Sequence, residues 1–311
     1  MIGLIADAVL PIAWILGLGF GLKRYAGIDD VVWRGLEKVS YWVLMPSLLV
    51  AVIVRAPVIT VPWASLIGSL YGLLGVLTFL LLLGWWARIF GSNYASFTSV
   101  YQGVIRFNAF ISLAVMAGLR PDLLPHLGIS AAIIIVVINV ACVSVMTANR
   151  DGFSIRYICE ELARNPLILA CAVGGVGRVL EVPAGFPVSG IALVGQAALP
   201  MGVLCLGAGL QWRAIREGLG LASFSVVTQL FVKPLLFVAI AAAMGLTGDW
   251  LLVGLLLVCV STAPSSFILA RQLGGDAPLM AGIVAIQTVM AIGSVPLVLW
   301  FADKMNWISL A

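Results

Sequence analysis

The sequence contains few charged residues, which make up only 10% of its 311 positions, and it has no run of basic residues. A nucleic-acid-binding protein needs clustered Lys and Arg to neutralise phosphates, so a nucleic-acid partner is excluded. The sequence also contains one histidine, His126, and no H-E-x-x-H motif. Without paired intramembrane acids or a metal-ligand set, we predict no enzyme activity, no cofactor and no metal site.

Apolar residues dominate the composition instead, at 62% of the chain. This fraction is typical of proteins embedded in a lipid bilayer. Apolar windows of about 20 residues are long enough to cross a bilayer as helices. We predict ten such spans, at roughly residues 2–22, 34–54, 63–87, 96–118, 127–147, 165–181, 187–210, 220–244, 250–271 and 279–301.

The ten spans divide into two sets of five, which predicts two repeats at residues 1–147 and 165–311 joined by a cytoplasmic loop at residues 148–164. Because five is odd, the second repeat would enter the membrane upside down relative to the first. Most Lys and Arg residues between spans follow the odd-numbered spans. The positive-inside rule then places both termini on the non-cytoplasmic side of the cell inner membrane. The predicted fold class is an all-α polytopic membrane protein with ten transmembrane helices in inverted five-helix repeats.

Span 9 contains the stretch Ser261-Thr262-Ala263-Pro264-Ser265-Ser266 near its middle. Proline has no N–H and its ring pushes on the preceding turn, so the helix must bend or break there. The freed backbone groups are tolerated at membrane depth only where they are buried in protein or line a wet cavity. The hydroxyls of Ser261, Thr262, Ser265 and Ser266 offer further hydrogen bonds, which predicts a substrate-binding element.

Span 4 has a polar interior that includes Gln102, Arg106 and Asn108. A charged side chain at membrane depth is costly and should face the bundle interior, which makes Arg106 a candidate anion-binding residue. Alternatively, Arg106 extends to the cytoplasmic surface as long basic side chains do. Asn108 lies about half a chain before Pro264, and asparagine is a good helix N-cap, so we predict a second break there. The alternative for Asn108 is a simple helix-to-helix hydrogen bond.

Two further polar residues lie inside apolar spans of the second half. Lys233 lies near the midpoint of span 8, and no interior Asp or Glu of that region offers it a partner. An anionic substrate would supply the missing charge, although a structural or lipid-facing role is the alternative. Gln287 in span 10 either contacts the broken helices or holds the helix bundle together through hydrogen bonds.

Four stretches, in this order, resemble the auxin efflux carrier family in its compact bacterial form. They are Arg106-Phe107-Asn108, Asn165-Pro166-Leu167-Ile168-Leu169, Leu199-Pro200 followed by Leu206-Gly207-Ala208-Gly209-Leu210, and Ala263-Pro264 leading to Leu269-Ala270-Arg271-Gln272-Leu273-Gly274-Gly275-Asp276. The resemblance implies a fold like that of bile-acid sodium symporters, with helices 4 and 9 broken and crossing at the substrate site. Span 4 departs from the family in lacking a proline, so its break is expected to depend on Asn108.

The resemblance also implies transport of a small organic anion, such as a dicarboxylate or indole acetate, by alternating access. The rival hypotheses are an anion channel and an intramembrane enzyme. The expected partners are the substrate anion and the lipid bilayer, and a homodimer is left open as an alternative to a monomer.

Overall fold

The computed structural model describes residues 2–57, 60–148, 160, 163–183, 185–210 and 219–308, and all regular structure in these ranges is helical. The α-helices are α1 (Ile2–Tyr25), α2 (Asp30–Val39), α3 (Met45–Val54), α4 (Trp63–Trp86), α5 (Tyr94–Ile105), α6 (Ala109–Leu119), α7 (Leu124–Thr147), α8 (Pro166–Val179), α9 (Val188–Gly195), α10 (Ala198–Ala208), α11 (Leu219–Val227), α12 (Lys233–Ala243), α13 (Gly248–Val258), α14 (Ser265–Leu273) and α15 (Ala277–Lys304). A 3₁₀ turn, Pro121–Leu123, precedes α7.

Eight helical segments of the described chain are long and apolar enough to cross a membrane. They are Gly3–Tyr25, Asp30–Val54, Trp63–Trp86, Tyr94–Leu119, Pro121–Thr147, Val188–Ala208, Gly220–Ala243 and Ala277–Lys304. Two shorter apolar helices, α8 and α13, lie in the predicted sixth and ninth spans. The chain is therefore a multi-pass helical membrane protein. Most of the predicted connecting loop at residues 148–164 lies outside the described residues.

Two of the long segments contain a π-helical turn, and each turn ends immediately before a proline-containing helix start. Ser40–Leu44 connects α2 to α3, which carries Pro46 at its second position. Thr228–Val232 connects α11 to α12, which carries Pro234 at its second position. Proline has no backbone N–H to donate to the preceding turn, and its ring needs room there. The wider π-helical turn meets both constraints.

The most extensive helix pairs in the described bundle are α1 with α10 and α3 with α8. Glycine allows the α1–α10 backbones to approach closely. A Cβ atom at Gly19 would lie 2.1 Å from the Leu204 carbonyl oxygen, and one at Gly207 would lie 2.1 Å from the Leu16 carbonyl oxygen. Close approach through small residues is how apolar helices gain packing energy inside a membrane.

The interrupted pairs α5–α6 and α13–α14 lie at the centre of the remaining helices. Helix α5 packs against α4, α7, α11 and α15, while α6 packs against α1, α7, α10 and α13. Buried apolar side chains from these helices form one continuous core. Most residues of both breaks are thus enclosed by neighbouring helices, whereas Ser265 at the start of α14 is exposed.

Candidate functional site

The first break separates α5 from α6 at three residues, Arg106, Phe107 and Asn108. No proline causes it. Asn108 leaves the helical conformation and caps α6, because its Oδ1 accepts hydrogen bonds from the N–H groups of Phe110 at 3.1 Å and Ile111 at 3.3 Å. The cap satisfies backbone donors that the interruption leaves free, so one asparagine stabilises the break locally.

The second break runs between the end of α13 at Val258 and the start of α14 at Ser265. Pro264 occupies the N-cap position of α14 with φ −59°, a backbone angle that suits the start of a helix. Within the break, the hydroxyl oxygens of Ser261 and Thr288 lie 3.2 Å apart. Both breaks thus lie where the sequence analysis places them, one from an asparagine and one from a proline.

Direct hydrogen bonds connect the two breaks and show that the broken helices meet. The Thr262 hydroxyl donates to the Gly103 carbonyl oxygen of α5 at 2.8 Å. Gln287 of α15 accepts the Thr262 N–H at its Oε1 and donates from its Nε2 to the same Gly103 oxygen, both at 2.8 Å. The Gln287 amide also reaches the Ser225 hydroxyl at 3.2 Å. Gln287 and Thr262 therefore fix the relative position of α5 and the second break.

A third connection comes from the π-helical turn Thr228–Val232. Gln229 donates from its Nε2 to the Val260 carbonyl oxygen at 2.7 Å and to the Arg106 carbonyl oxygen at 3.2 Å, so one amide bridges both breaks. The sequence analysis did not identify Gln229. The sequence feature that could have identified Gln229 is its position as a polar residue one helical turn before Lys233 in an apolar span.

Lys233 is directed at the C-terminal end of α5. Its ammonium lies 2.9 Å from the Val104 carbonyl oxygen and 3.0 Å from Gln229 Oε1. The carbonyl oxygens of Ile105 and Arg106 lie 3.2 and 3.4 Å away. The structure thus pairs Lys233 with protein oxygens, which is the structural role that the sequence left as an alternative, and its contact with substrate stays a prediction.

Arg106 lies at the crossing as well, with only 6% of its surface exposed. This burial favours the first of the two hypotheses for Arg106, and its role in anion binding stays a prediction. One guanidinium nitrogen donates to the Ser265 hydroxyl at the start of α14, at 3.3 Å, whereas Nη1 is buried without a hydrogen-bond partner. A guanidinium directed at a neutral hydroxyl keeps unused donors and an uncompensated charge.

Further buried polar atoms near the crossing have no hydrogen-bond partner in the structure. They are the Asn108 Nδ2, both amide atoms of Gln102 and the Ser266 hydroxyl. Ser266 belongs to the first turn of α14, and Gln102 lies one helical turn before Arg106. Each unsatisfied buried polar atom costs about 1–3 kcal/mol, and a ligand or a water molecule can complete its bonding. Other residues of the described chain, such as Trp33 and His126, also have such atoms.

The charge of the buried interior has one sign. Among the described residues, Arg106 and Lys233 are the only buried Lys, Arg, Asp or Glu side chains. The same part of the chain contains no group of three or more His, Cys, Asp and Glu residues that could hold a metal ion. The crossing is therefore cationic, built from two basic side chains with no buried carboxylate to neutralise them.

The crossing is closely packed, with Ser261 and Thr262 fully buried and Asn108 only 1% exposed. A small void of about 10 Å³ lies beside it between α1, α6 and α15. A larger cavity of about 340 Å³ lies where α3 ends and α7 begins, and its polar lining residues are Arg55, Asp122 and Gln196. Pro264 is half-buried and Ser265 is exposed, so the start of α14 is the less enclosed side of the crossing.

The far ends of the two interrupted segments are tied together by an ion pair. Arg120 follows α6, and its guanidinium donates to both carboxylate oxygens of Asp249 in the first turn of α13, at 2.8 and 3.0 Å. Asp122 accepts two further bonds from the same guanidinium. These carboxylates raise the pKa of Arg120 above its ordinary value, so the side chain stays protonated.

Comparison with known families adds one finding. A family model described as the Sodium Bile acid symporter family matches residues 206–309, about a third of the chain. The matched region includes α11 to α15 and therefore Gln229, Lys233 and the second break. No curated protein matches the chain. The match supports a fold of the bile-acid symporter type, and the similarity is to secondary membrane transporters rather than to enzymes.

Proposed function

We propose that the protein is a secondary carrier of a small organic anion, such as a dicarboxylate or an auxin-like carboxylic acid, with its site at the crossing of α5–α6 and α13–α14. One observation carries the proposal: the buried charges of the described chain are both cations, and Arg106 is held by a neutral hydroxyl instead of a carboxylate. A substrate anion would supply the missing negative charge. The match to a symporter family is in accord with this class of function.

The two half-helices that begin at the breaks strengthen the case. Helices α6 and α14 both start at the crossing, so their N-terminal ends carry partial positive charge there. Anions bind readily to such ends because free N–H groups and the helix dipole act together. In many carriers, discontinuous helices present these ends to an anionic substrate near the middle of the bilayer.

We infer a division of labour among the candidate residues. Thr262, Gln287 and Ser261 hydrogen-bond to neighbouring protein groups and hold the shape of the breaks. The groups with unused bonding capacity are Arg106, Asn108, Gln102 and Ser266. These four, together with Ser265 and the backbone at Pro264, are the proposed substrate contacts. Lys233 would act through the α5 carbonyl oxygens and add positive charge behind the site.

The finer description of the fold also belongs to the proposal. Ten helices in two inverted repeats, residues 1–147 and 165–311, would place α5–α6 and α13–α14 in equivalent positions. Two inverted repeats would make the contact between α1 and α10 equivalent to the contact between α3 and α8. These two helix pairs are the most extensive in the described bundle, which supports the arrangement. We also propose that the chain is related to the auxin efflux carriers, that both termini lie outside the cytoplasm, and that the protein forms a homodimer.

Counterflow in proteoliposomes tests the function. Vesicles loaded with an unlabelled carboxylate, such as succinate or indole acetate, are expected to accumulate the labelled compound, since a carrier exchanges one molecule for another. A channel would equilibrate label without such accumulation. We expect Arg106→Gln to abolish counterflow. The matched control is Arg271→Gln, at an exposed residue in the last turn of α14, which should retain activity.

Normal counterflow by the Arg106→Gln variant would contradict the assignment of Arg106 to the substrate site. Absence of counterflow by the unaltered protein for every small mono- and dicarboxylate tested would contradict the substrate class. Label entry that an opposing unlabelled pool does not drive would favour a channel.

A further inference from the structure

The ammonium group of Lys233 lies within four neutral oxygens at the broken end of α5. These are the carbonyl oxygens of Val104, Ile105 and Arg106, at 2.9, 3.2 and 3.4 Å, and the Gln229 Oε1 at 3.0 Å. We call this set the α5 oxygen cage. Lys233 is only 2% exposed, so its ammonium is almost completely enclosed by protein.

Such a set of oxygens is well suited to a small monovalent cation. Backbone carbonyl and amide oxygens are the ligands that hard cations prefer. The C-terminal end of a helix adds partial negative charge, and carriers use such unwound ends to hold sodium or protons. The name of the matching family refers to sodium, and an ion at the α5 end would need these same oxygens. In this chain the Lys233 ammonium already uses them.

At the second break, two backbone carbonyl oxygens already accept hydrogen bonds from neutral side chains. The Leu256 carbonyl oxygen of α13 accepts a hydrogen bond from the Ser112 hydroxyl at 2.8 Å. The Val260 carbonyl oxygen accepts one from the Gln229 amide at 2.7 Å. Neutral donors thus satisfy these oxygens, and no Asp or Glu of the described chain is buried near them. The oxygens at the broken end of α5 are therefore occupied by an ammonium group, and as they stand they do not fit a sodium ion.

We propose that Lys233 is a covalently attached replacement for a bound cation. Its ammonium occupies the α5 oxygen cage, holds the broken end of α5 in place and supplies the positive charge that a free ion would bring. The protein then needs no sodium to stabilise the crossing. The consequence for transport, uptake of the anion without sodium, rests on the proposed function, whereas the structural role of Lys233 does not.

Thermal unfolding of the purified full-length protein tests the cage directly. The unaltered protein is compared in sodium chloride, potassium chloride and choline chloride at equal ionic strength, and we expect the same unfolding temperature in all three. Lys233→Ala empties the cage and should unfold at a lower temperature in choline chloride. Added sodium or methylammonium should raise that temperature saturably, because a ligand of the folded state stabilises it.

Two further variants sharpen the comparison. Lys233→Ser leaves a hydroxyl oxygen beside the cage and should respond to sodium in the same way as Lys233→Ala. Lys38→Ala removes an exposed lysine of α2 and should show no cation-specific response.

The inference is overturned if sodium stabilises the unaltered protein saturably and specifically, or if a folded Lys233→Ala protein responds to neither cation. If neither Lys233 variant folds, the unaltered protein decides the question alone. Counterflow in sodium-free vesicles separates this inference from the proposed function. Counterflow that occurs only in the presence of sodium contradicts the inference. Absence of counterflow both with and without sodium contradicts the proposed carrier function, and the unfolding experiment then still tests the role of Lys233.

Discussion

One substitution can separate the helix cap that Asn108 forms from its proposed contact with the substrate. Its Oδ1 caps α6 by accepting two backbone N–H groups, at 3.1 and 3.3 Å, while its Nδ2 is buried without a partner. Asn108→Ser keeps an oxygen at the cap but removes the amide donor. Serine and asparagine are about equally good N-caps, so the stability of the protein should change little.

The expected effect on substrate affinity follows from the lost donor. A hydrogen bond to a charged group contributes roughly 1.5–3 kcal/mol. If Nδ2 donates to the substrate carboxylate, Asn108→Ser should weaken binding by roughly 10- to 150-fold, since about 1.4 kcal/mol corresponds to a factor of ten. Asn108→Ala removes the cap as well and should also lower stability, by about 0.5–2 kcal/mol.

The assay is a binding isotherm for a small carboxylate, with thermal unfolding of each variant measured in parallel. Asn165→Ser is the matched control, because Asn165 caps α8 through bonds of 3.0 and 3.4 Å, is also buried, and lies outside the crossing. It should alter neither affinity nor stability appreciably. Unchanged affinity in a folded Asn108→Ser protein would refute the assignment of the Asn108 amide to the substrate.

Two substitutions test the packing that positions the site. Gly207→Ala should lower the unfolding temperature, because its Cβ atom would lie 2.1 Å from the Leu16 carbonyl oxygen and overpacking costs roughly 1–3 kcal/mol; Gly293→Ala, with nothing within 4 Å, should not. Thr262→Val removes the hydroxyl bond to α5 and should cost about 0.5–1.5 kcal/mol in chemical unfolding, more than Thr98→Val, whose hydroxyl bonds within its own helix. Equal stabilities within either pair would contradict the packing argument.

The breaks could be predicted from the sequence because each depends on a local property. Proline lacks the donor that a helix needs, and this property of Pro264 does not depend on the rest of the fold. Asparagine caps helices through its own side chain, so Asn108 could be identified without the proline that span 4 lacks. The apolar windows also predicted the eight helical segments of the described chain that are long and apolar enough to cross a membrane, since span length depends on bilayer thickness.

The partners of the polar residues could not be predicted, because they lie far apart in the chain. Lys233 contacts α5 more than a hundred positions away, and Gln229 bridges two breaks that are themselves distant in sequence. The sequence indicated that Lys233 needed a negative partner and suggested a substrate. The carbonyl oxygens that it contacts become available only when α5 breaks beside it, which is a property of the assembled fold.

The choice between the two hypotheses for Arg106 also needed the structure. Position in the span permitted either an anion site or extension to the membrane surface. Burial at 6% exposure and the contact with Ser265 of the other broken helix favour the anion site, which stays a prediction. The position of α14 relative to Arg106 could not be predicted from the sequence, because long-range packing determines it.

An experimental structure determined with a bound small carboxylate tests the central claim most directly. The account predicts ligand density at the crossing, with the carboxylate near Arg106 Nη1, Asn108 Nδ2 and the first turn of α14. Density confined to the cavity lined by Arg55 and Gln196, with none at the crossing, would contradict it.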